Sequence, residues 1–233
     1  MNPQPQHSHI VSKTVILIVL LAVFATVFWN RAGAFADGGD ALPDPAVDPA
    51  SAPSAGPQTA VIAGGCFWGI QAVFQHVKGV VSATSGYSGG SAATAHYEQV
   101  GEGNTGHAES VKVTFDPAQI SYGQLLKVFF SVAHDPTELN RQGPDTGTQY
   151  RSVIFYANDE QRHIAEAYIA QLEQAKSFPS PIVTQVVPLK AFYAAEIEHQ
   201  NFAKLHPDNS YIAVNDLPKV ERLREQLPSL YKK

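Results

Sequence analysis

The residue with the greatest chemical potential is Cys66, in Gly64-Gly65-Cys66-Phe67-Trp68-Gly69, and it is the only cysteine in 233 residues. A single cysteine makes no internal disulfide, no CxxC redox pair and no cysteine-rich zinc site. Its chemistry must therefore be that of one sulfur, acting alone or with a partner molecule. The apolar run Thr59–Ala63 ends in two glycines, and apolar residues then recur at Ile70, Val73, Phe74 and Val77, a helical spacing. Cys66 is thus expected where a buried strand turns into a helix. There, free backbone N–H groups and the helix dipole favour an anion, so a stabilised thiolate is expected. A small, inert, buried cysteine is the alternative at this point. Phe67 and Trp68 cannot both face inward with Ile70, Val73 and Phe74. At least one must stand beside the sulfur as a wall of an apolar pocket.

The elements around this turn form an alternating series. Gly79–Ser85 reads as a strand and Gly86–Gly90 as a turn. Ser110–Phe115 alternates, with Val111, Val113 and Phe115 on one face. Ser121-x-x-Gln124 has the form of a capping box opening a helix through Val132. A polar loop over His134–Gln149 precedes a strand over Tyr150–Tyr156, a helix over Asp159–Lys176 and a strand over Pro181–Val187. Residues Ala191–Leu205 read as partly helical. The expected class is α+β, two-layer, with helices packed on a mostly antiparallel sheet in one domain.

Other segments match a known family in order. GGCFWG resembles the signature of the A-type peptide methionine sulfoxide reductases. So do Gly86-Tyr87-Ser88-Gly89-Gly90, Gly106-His107-Ala108-Glu109-Ser110-Val111, Asn140-Arg141-Gln142 with Asp145 and Gly147–Ser152, and Glu198-His199-Gln200. His206-Pro207, Tyr211-Ile212 and Pro218-Lys219 extend the likeness into the tail, so it covers about residues 59–228 of the expected reductase domain, residues 59–233. The resemblance implies a ferredoxin-like version of the fold and reduction of methionine S-sulfoxide, protein-bound or free, as repair of oxidative damage. It implies Cys66 as the nucleophile and Phe67 and Trp68 as the seat of the substrate methyl group. It implies Glu109 as the proton donor, Tyr87 and Tyr150 as donors to the sulfoxide oxygen, Asp145 as an organiser of the site and His199 as a substrate-side residue. Periodicity agrees for Glu109, which shares parity with Val111 and so points to the core face, where desolvation keeps a carboxyl protonated. His107, His134, His199 and His206 fit no compact zinc spacing, and no metal or bound cofactor is expected.

Many members of that family use a second, C-terminal cysteine to resolve the oxidised first one. This chain departs from that pattern. A Cys66 sulfenic acid must then be reduced by an external thiol: a thioredoxin-like protein, glutaredoxin or small thiol. Methionine sulfoxide peptides and proteins and this thiol donor are the expected partners, and a monomer is the expected state. The balance of 16 basic against 21 acidic residues speaks against nucleic acid as a partner. Two other classes stay open, a cysteine hydrolase of the amidase kind and an exported binding module with an inert thiol.

The N-terminal region reads as an address. Thr14–Trp29 is an uncharged apolar run between Lys13 and Arg31, followed by the small-residue sites of Ala32–Ala36. This predicts a signal peptide over residues 1–36, or an N-terminal membrane anchor through residues 14–29, with cleavage favoured because the run is ~24 Å long. Either places the domain outside the cytoplasm, in the periplasm or beyond. Residues 37–58, rich in Pro, Ala, Gly and Asp, are expected to be a disordered linker.

Overall fold

The computed structural model describes residues 42–49 and 56–233. The signal or anchor expected over residues 1–36 lies outside them. Among the described residues no helix is long and apolar enough to cross a membrane.

The apolar run after the linker forms β1 (Gln58–Ala63), buried over its last four residues, and leads through Cys66 into α1 (Phe67–Gln75). A hairpin follows: β2 (Val80–Ser88) and β3 (Ala108–Phe115), with the short α2 (Tyr97–Gly101) between them. The capping box opens α3 (Tyr122–Val128) as its sequence predicts, with Ser121 Oγ accepting from the Gln124 N–H and Gln124 Oε1 from the Ser121 N–H, both at 3.1 Å. Helix α3 continues as a π-turn over Phe129–Ala133. The loop that follows carries a two-residue ladder, β4 (Arg141–Gln142) on β5 (Asp145–Thr146). Then come β6 (Val153–Tyr156), α4 (Asp159–Gln174), β7 (Gln185–Pro188) and β8 (Tyr193–Ala194). A 3₁₀ turn at Ile197–His199, α5 (Phe202–Leu205), a π-turn at Ile212–Asp216 and α6 (Leu217–Gln226) complete the chain.

The six-stranded sheet has the order β7-β6-β1-β3-β2-β8, and only the β6–β7 pair is parallel. Its central β6-β1-β3-β2, with α1 and α3 as crossovers, is a ferredoxin-like sheet, extended by one short strand at each edge. The expected class therefore holds. Val111, Val113 and Phe115 lie on the face of β3 that packs into the main core with Ile70, Val73 and Phe74 of α1. The other face, around Ala108, is covered by Phe155 and Phe192, so the first half of β3 is buried on both sides.

Three sequence expectations are corrected. Gly86-Tyr87-Ser88 are not part of a turn but complete β2, where Tyr87 pairs with Glu109, and only Gly89 and Gly90 leave the ladder. Val77 is not on α1; it lies beyond the helix end and bridges to Tyr231. Third, residues 42–49 of the expected linker are ordered against the domain. Tyr168 and Gln171 of α4 donate to the Pro43 and Asp44 carbonyls at 2.9 Å. Asp48 accepts from Ser121 Oγ and, at 3.1 Å, from the Gly123 N–H. A proline-rich segment has few backbone bonds of its own to satisfy, so polar side chains of the domain can hold it although it contributes little apolar surface.

Candidate active site

Two glycines set the turn between β1 and α1. Gly65 has φ +100°, and a Cβ there would lie 2.5 Å from Gln142 Cγ, so both the backbone and the space demand glycine. Gln142 is itself fixed, its amide exchanging bonds of 2.9 and 3.0 Å with the backbone of Asp135. The loop carrying Asp145 is thereby pressed onto the turn carrying Cys66.

Cys66 is the residue immediately before the first turn of α1. The first free amide of the helix finds an acceptor in the site. The Phe67 N–H donates to Glu109 Oε2 at 3.0 Å, while the Cys66 side chain caps no amide of α1, although the Trp68 backbone beside it favours its anion. Strand register makes the first contact possible. Because Ile62 pairs with Val111, Glu109 lies two residues further along β3, beneath the point where the chain leaves β1. Parity therefore reads Glu109 correctly: it faces the helix side and is 3% exposed. Burial is the main reason that its carboxyl is raised to about 8, with Asp145 and Asp216 adding to the rise and the Phe67 amide opposing it. At neutral pH this is a protonated acid, with one oxygen held by the amide.

The expected stabilised thiolate is corrected. Cys66 is only 8% exposed, and burial, followed by the neighbouring Glu109 and Asp216, pushes its thiol well above the ordinary value. The Trp68 amide and the Lys219 ammonium pull the other way but do not prevail. A helix N-terminus favours an anion, but in a dry, acid-lined site that help is smaller than the desolvation penalty. The resting sulfur is a thiol.

Phe67 and Trp68 divide the aromatic work as their adjacency requires. Phe67 is fully buried, with Tyr87, Tyr97 and His199 ring centres at 5.8, 6.4 and 5.6 Å. Trp68 is half-buried and stacks on Phe202 at 3.9 Å, with Tyr211 edge-on at 6.1 Å. His199 closes the group against Tyr97 at 4.0 Å. Around the sulfur these rings make an apolar wall with polar tips, suited to a methyl thioether beside an oxygen.

Among the tyrosines the structure departs from expectation. Tyr87 is wholly buried, and its hydroxyl donates to Glu196 Oε2 at 2.7 Å, while Glu196 Oε1 accepts from the Tyr97 N–H at 3.0 Å. The phenol proton of Tyr87 is thus committed to a carboxylate, and its assignment as donor to a sulfoxide oxygen is withdrawn; it anchors the start of α2. Tyr97 and Tyr150 are the half-buried tyrosines that feel both Glu109 and Cys66. Burial raises Tyr97 to about 12 and Tyr150 higher still, so both are neutral donors. Asp145 is half-buried, accepts from the Tyr211 hydroxyl and is raised by burial, consistent with an organising role.

Sequence reasoning missed Tyr97, Tyr211, Asp216 and Lys219. Asp216 and Lys219 are buried, with Nζ 3.0 Å from Oδ1. Two of the histidines considered as metal ligands, His107 and His134, hold hydrogen bonds elsewhere. His107 Nδ1 accepts from Gly90 N–H and Nε2 lies 2.9 Å from the Ser91 carbonyl. Burial lowers His134 to about 3, leaving a neutral ring between the Phe129 carbonyl and Ser152 Oγ. Arg151 clamps the carbonyls of Gly106, His107 and Thr148, tying the approach to Glu109 to the turn that carries Tyr150.

Residues 58–230 match the family model described as peptide methionine sulfoxide reductase. The chain is 60% identical over 176 residues to "Peptide methionine sulfoxide reductase MsrA 2" of Mesorhizobium japonicum, covering 76% of this chain and 90% of that protein. It is 52% identical over 187 residues to the protein of the same name from Synechocystis, covering 79% and 87%. Among solved structures, methionine sulfoxide reductase A of Corynebacterium diphtheriae superposes with a TM-score of 0.56 at 34% identity, covering 73% of this chain and 86% of that one. The reduced form of Mxr1 from Saccharomyces cerevisiae gives 0.59 at 32%, covering 66% and 87%.

Proposed function

The chain belongs to the A-type peptide methionine sulfoxide reductase family, and on that premise we propose that Cys66 attacks the sulfoxide sulfur while Glu109 supplies the proton that makes the oxygen leave. The enzyme is an oxidoreductase that reduces methionine sulfoxide with electrons from a thiol. The observation that supports this assignment of roles is the Phe67 amide, next in the chain to Cys66, holding the buried Glu109 carboxyl, so that the nucleophile and the donor meet at the same helix end.

In the first step the Cys66 sulfur attacks the sulfoxide sulfur, with the substrate methyl against Phe67 and Trp68. Glu109 protonates the oxygen, and Tyr97 and Tyr150 donate hydrogen bonds to it as charge grows there. The oxygen, carrying the Glu109 proton and the Cys66 thiol proton, leaves as water, and a Cys66–substrate S–S bond remains. A water molecule then attacks the Cys66 sulfur, breaking that bond and returning a proton to Glu109. Methionine sulfoxide thereby becomes methionine, and the Cys66 thiol a sulfenic acid. A buried thiol suits an enzyme that must ignore other electrophiles until a sulfoxide fills the site. In the second stage an external thiol attacks the sulfenic acid, releasing water and leaving a mixed disulfide, and a second thiol frees Cys66. The rest of the chain contains no other cysteine, so the regenerating sulfur must come from outside it. A cysteine hydrolase would need an imidazole paired with the sulfur, and among the described residues His107 and His134 hold their ring nitrogens elsewhere while His199 packs its ring against Phe67 and Tyr97.

The S epimer as substrate, protein repair as the role and a thioredoxin-like protein or glutaredoxin as the donor are part of the proposal. So is an exported location, supported by the apolar run Thr14–Trp29 and tested by sequencing the N-terminus of the processed protein. Incubation with the separated S and R sulfoxide peptides, with and without dithiothreitol, tests the activity: multiple turnovers are expected for the S form with thiol alone. Turnover without thiol, or equal use of both epimers, would contradict it. Tyr97→Phe and Tyr150→Phe are each expected to lower kcat roughly 10- to 100-fold with little change in KM. Tyr87→Phe should instead lower the melting temperature, and a kcat loss as large as that of Tyr97→Phe, with melting unchanged, would restore Tyr87 to the site.

A further inference from the structure

The C-terminal helix and its cap bring two charged side chains to the active-site helix. Asp216 is fully buried and Lys219 nearly so, with Nζ 3.0 Å from Oδ1. Both reach the first turn of α1 through the space left by Gly69: a Cβ on that glycine would lie 2.7 Å from Asp216 Cγ and 2.8 Å from Lys219 Nζ. Asp216 Oδ2 is buried and meets no hydrogen-bond donor among the described residues. A buried ion pair is a weak source of stability even when fully satisfied, and this one is not. What distinguishes its position is the neighbour, for the turn it touches begins at Cys66.

We propose that the Asp216–Lys219 pair, lodged in the gap at Gly69, governs how readily the Cys66 sulfur gives up its proton, Lys219 favouring and Asp216 opposing ionisation. The proposal rests on Cys66 being the nucleophile. The other groups around the sulfur do not supply what Lys219 does. Glu109 on β3, Asp145 on β5 and Asp216 are acids, and Tyr97, Tyr150 and Tyr211 are raised phenols. His134 is neutral, and His199, packed against Tyr97 and Phe67, makes no hydrogen bond through Nδ1 among the described residues. Lys219 is a cation whose charge favours ionisation of Cys66. In a chain with no resolving cysteine, the C-terminal segment thus contributes a charge to the nucleophile. Lys219 and Asp216 act as positioning residues, through the field at the sulfur rather than by contact with substrate.

The test uses the full-length protein without any sulfoxide. Alkylation of Cys66 by iodoacetamide, a neutral reagent, is followed from pH 6 to 10 in wild type, Asp216→Asn, Lys219→Met and Lys219→Arg, with melting temperature recorded for each. Asp216→Asn is expected to react roughly three- to tenfold faster at pH 8, with its profile moved to lower pH. Lys219→Met should react slower by a similar factor, and Lys219→Arg should stay within about twofold of wild type. A pair that only braced the helix would shift both single variants the same way. Shifts of the same sign, or none in folded variants, overturn the proposal. Should Lys219→Met not fold, Asp216→Asn decides: an unchanged profile overturns it. Normal sulfoxide turnover with flat alkylation profiles would sink the pair's role and leave the sulfoxide reaction standing.

Discussion

Cys66→Ser is expected to reduce methionine formation to below roughly a thousandth of the wild-type rate, whatever thiol is supplied. A serine oxygen has no counterpart to the sulfenic acid, so nothing in the site is oxidised as the sulfoxide is reduced. The residue is 8% exposed and packs with Ile62, Phe67 and Ile70 in the core, and serine is nearly isosteric with it. The variant should therefore keep the wild-type circular dichroism and melt within a few degrees of it. A folded Cys66→Ser protein that still turns over would place the chemistry on another group, and the chain has no other thiol to offer.

Glu109→Gln carries the second large effect and separates catalysis from stability. The substituted amide could still accept from the Phe67 N–H but could not deliver a proton, so kcat should fall roughly 100- to 1,000-fold, the range typical of a lost general acid. The pH dependence has a defined sign. The active form of Glu109 is protonated and its folded value is about 8, so the wild-type rate limited by this group should fall as pH rises through about 8. In Glu109→Gln that limb disappears. Stability follows from the same shift. A carboxyl raised above its unfolded value of 4.5 binds a proton in the folded state that the unfolded chain has released. The stability so conferred is complete below pH 4.5 and is lost as pH climbs through about 8. On that basis the wild type should be less stable at about pH 8.5 than at about pH 5 by roughly 3–5 kcal/mol from this group, and Glu109→Gln should show a flatter profile. Denaturant melts at the two pH values check this. A Glu109→Gln enzyme that is both fast and equally pH-sensitive would remove the acid from the mechanism.

How much of this can be read from sequence depends on whether the signal is local. The strand–turn–helix around Cys66 and the parity of Glu109 with Val111 are local patterns, and both lead to the right places. Three failures have non-local causes. A strand-to-helix turn makes Cys66 read as a thiolate, because the dipole can be inferred from the turn alone. The burial that outweighs it depends on Glu109, Asp216 and the aromatic wall arriving from other elements. The resemblance points to Tyr87 and not Tyr97 because Tyr87 lies in a matched block, Gly86–Gly90, whose glycines set it apart. Those glycines serve the exit from β2, while Tyr97 sits in a five-residue helix with no distinctive pattern. The segment 42–49 has the composition of free chain, and only the polar groups of α3 and α4, far away in sequence, give its backbone partners. Asp216 and Lys219 carry no local signal of burial, since the room they occupy is left by Gly69, far away in sequence.

The most direct measurement is a single turnover without reductant. Enzyme mixed with excess S-sulfoxide peptide is quenched and analysed for methionine and for the mass of the Cys66 peptide, with a sulfenic-acid trap in a parallel sample. One methionine per enzyme, together with one added oxygen (about 16 Da) or one trap adduct confined to Cys66, is the predicted result. Methionine formed in that ratio with Cys66 unmodified, or many methionines formed with no thiol present, would contradict oxidation of this sulfur by the sulfoxide.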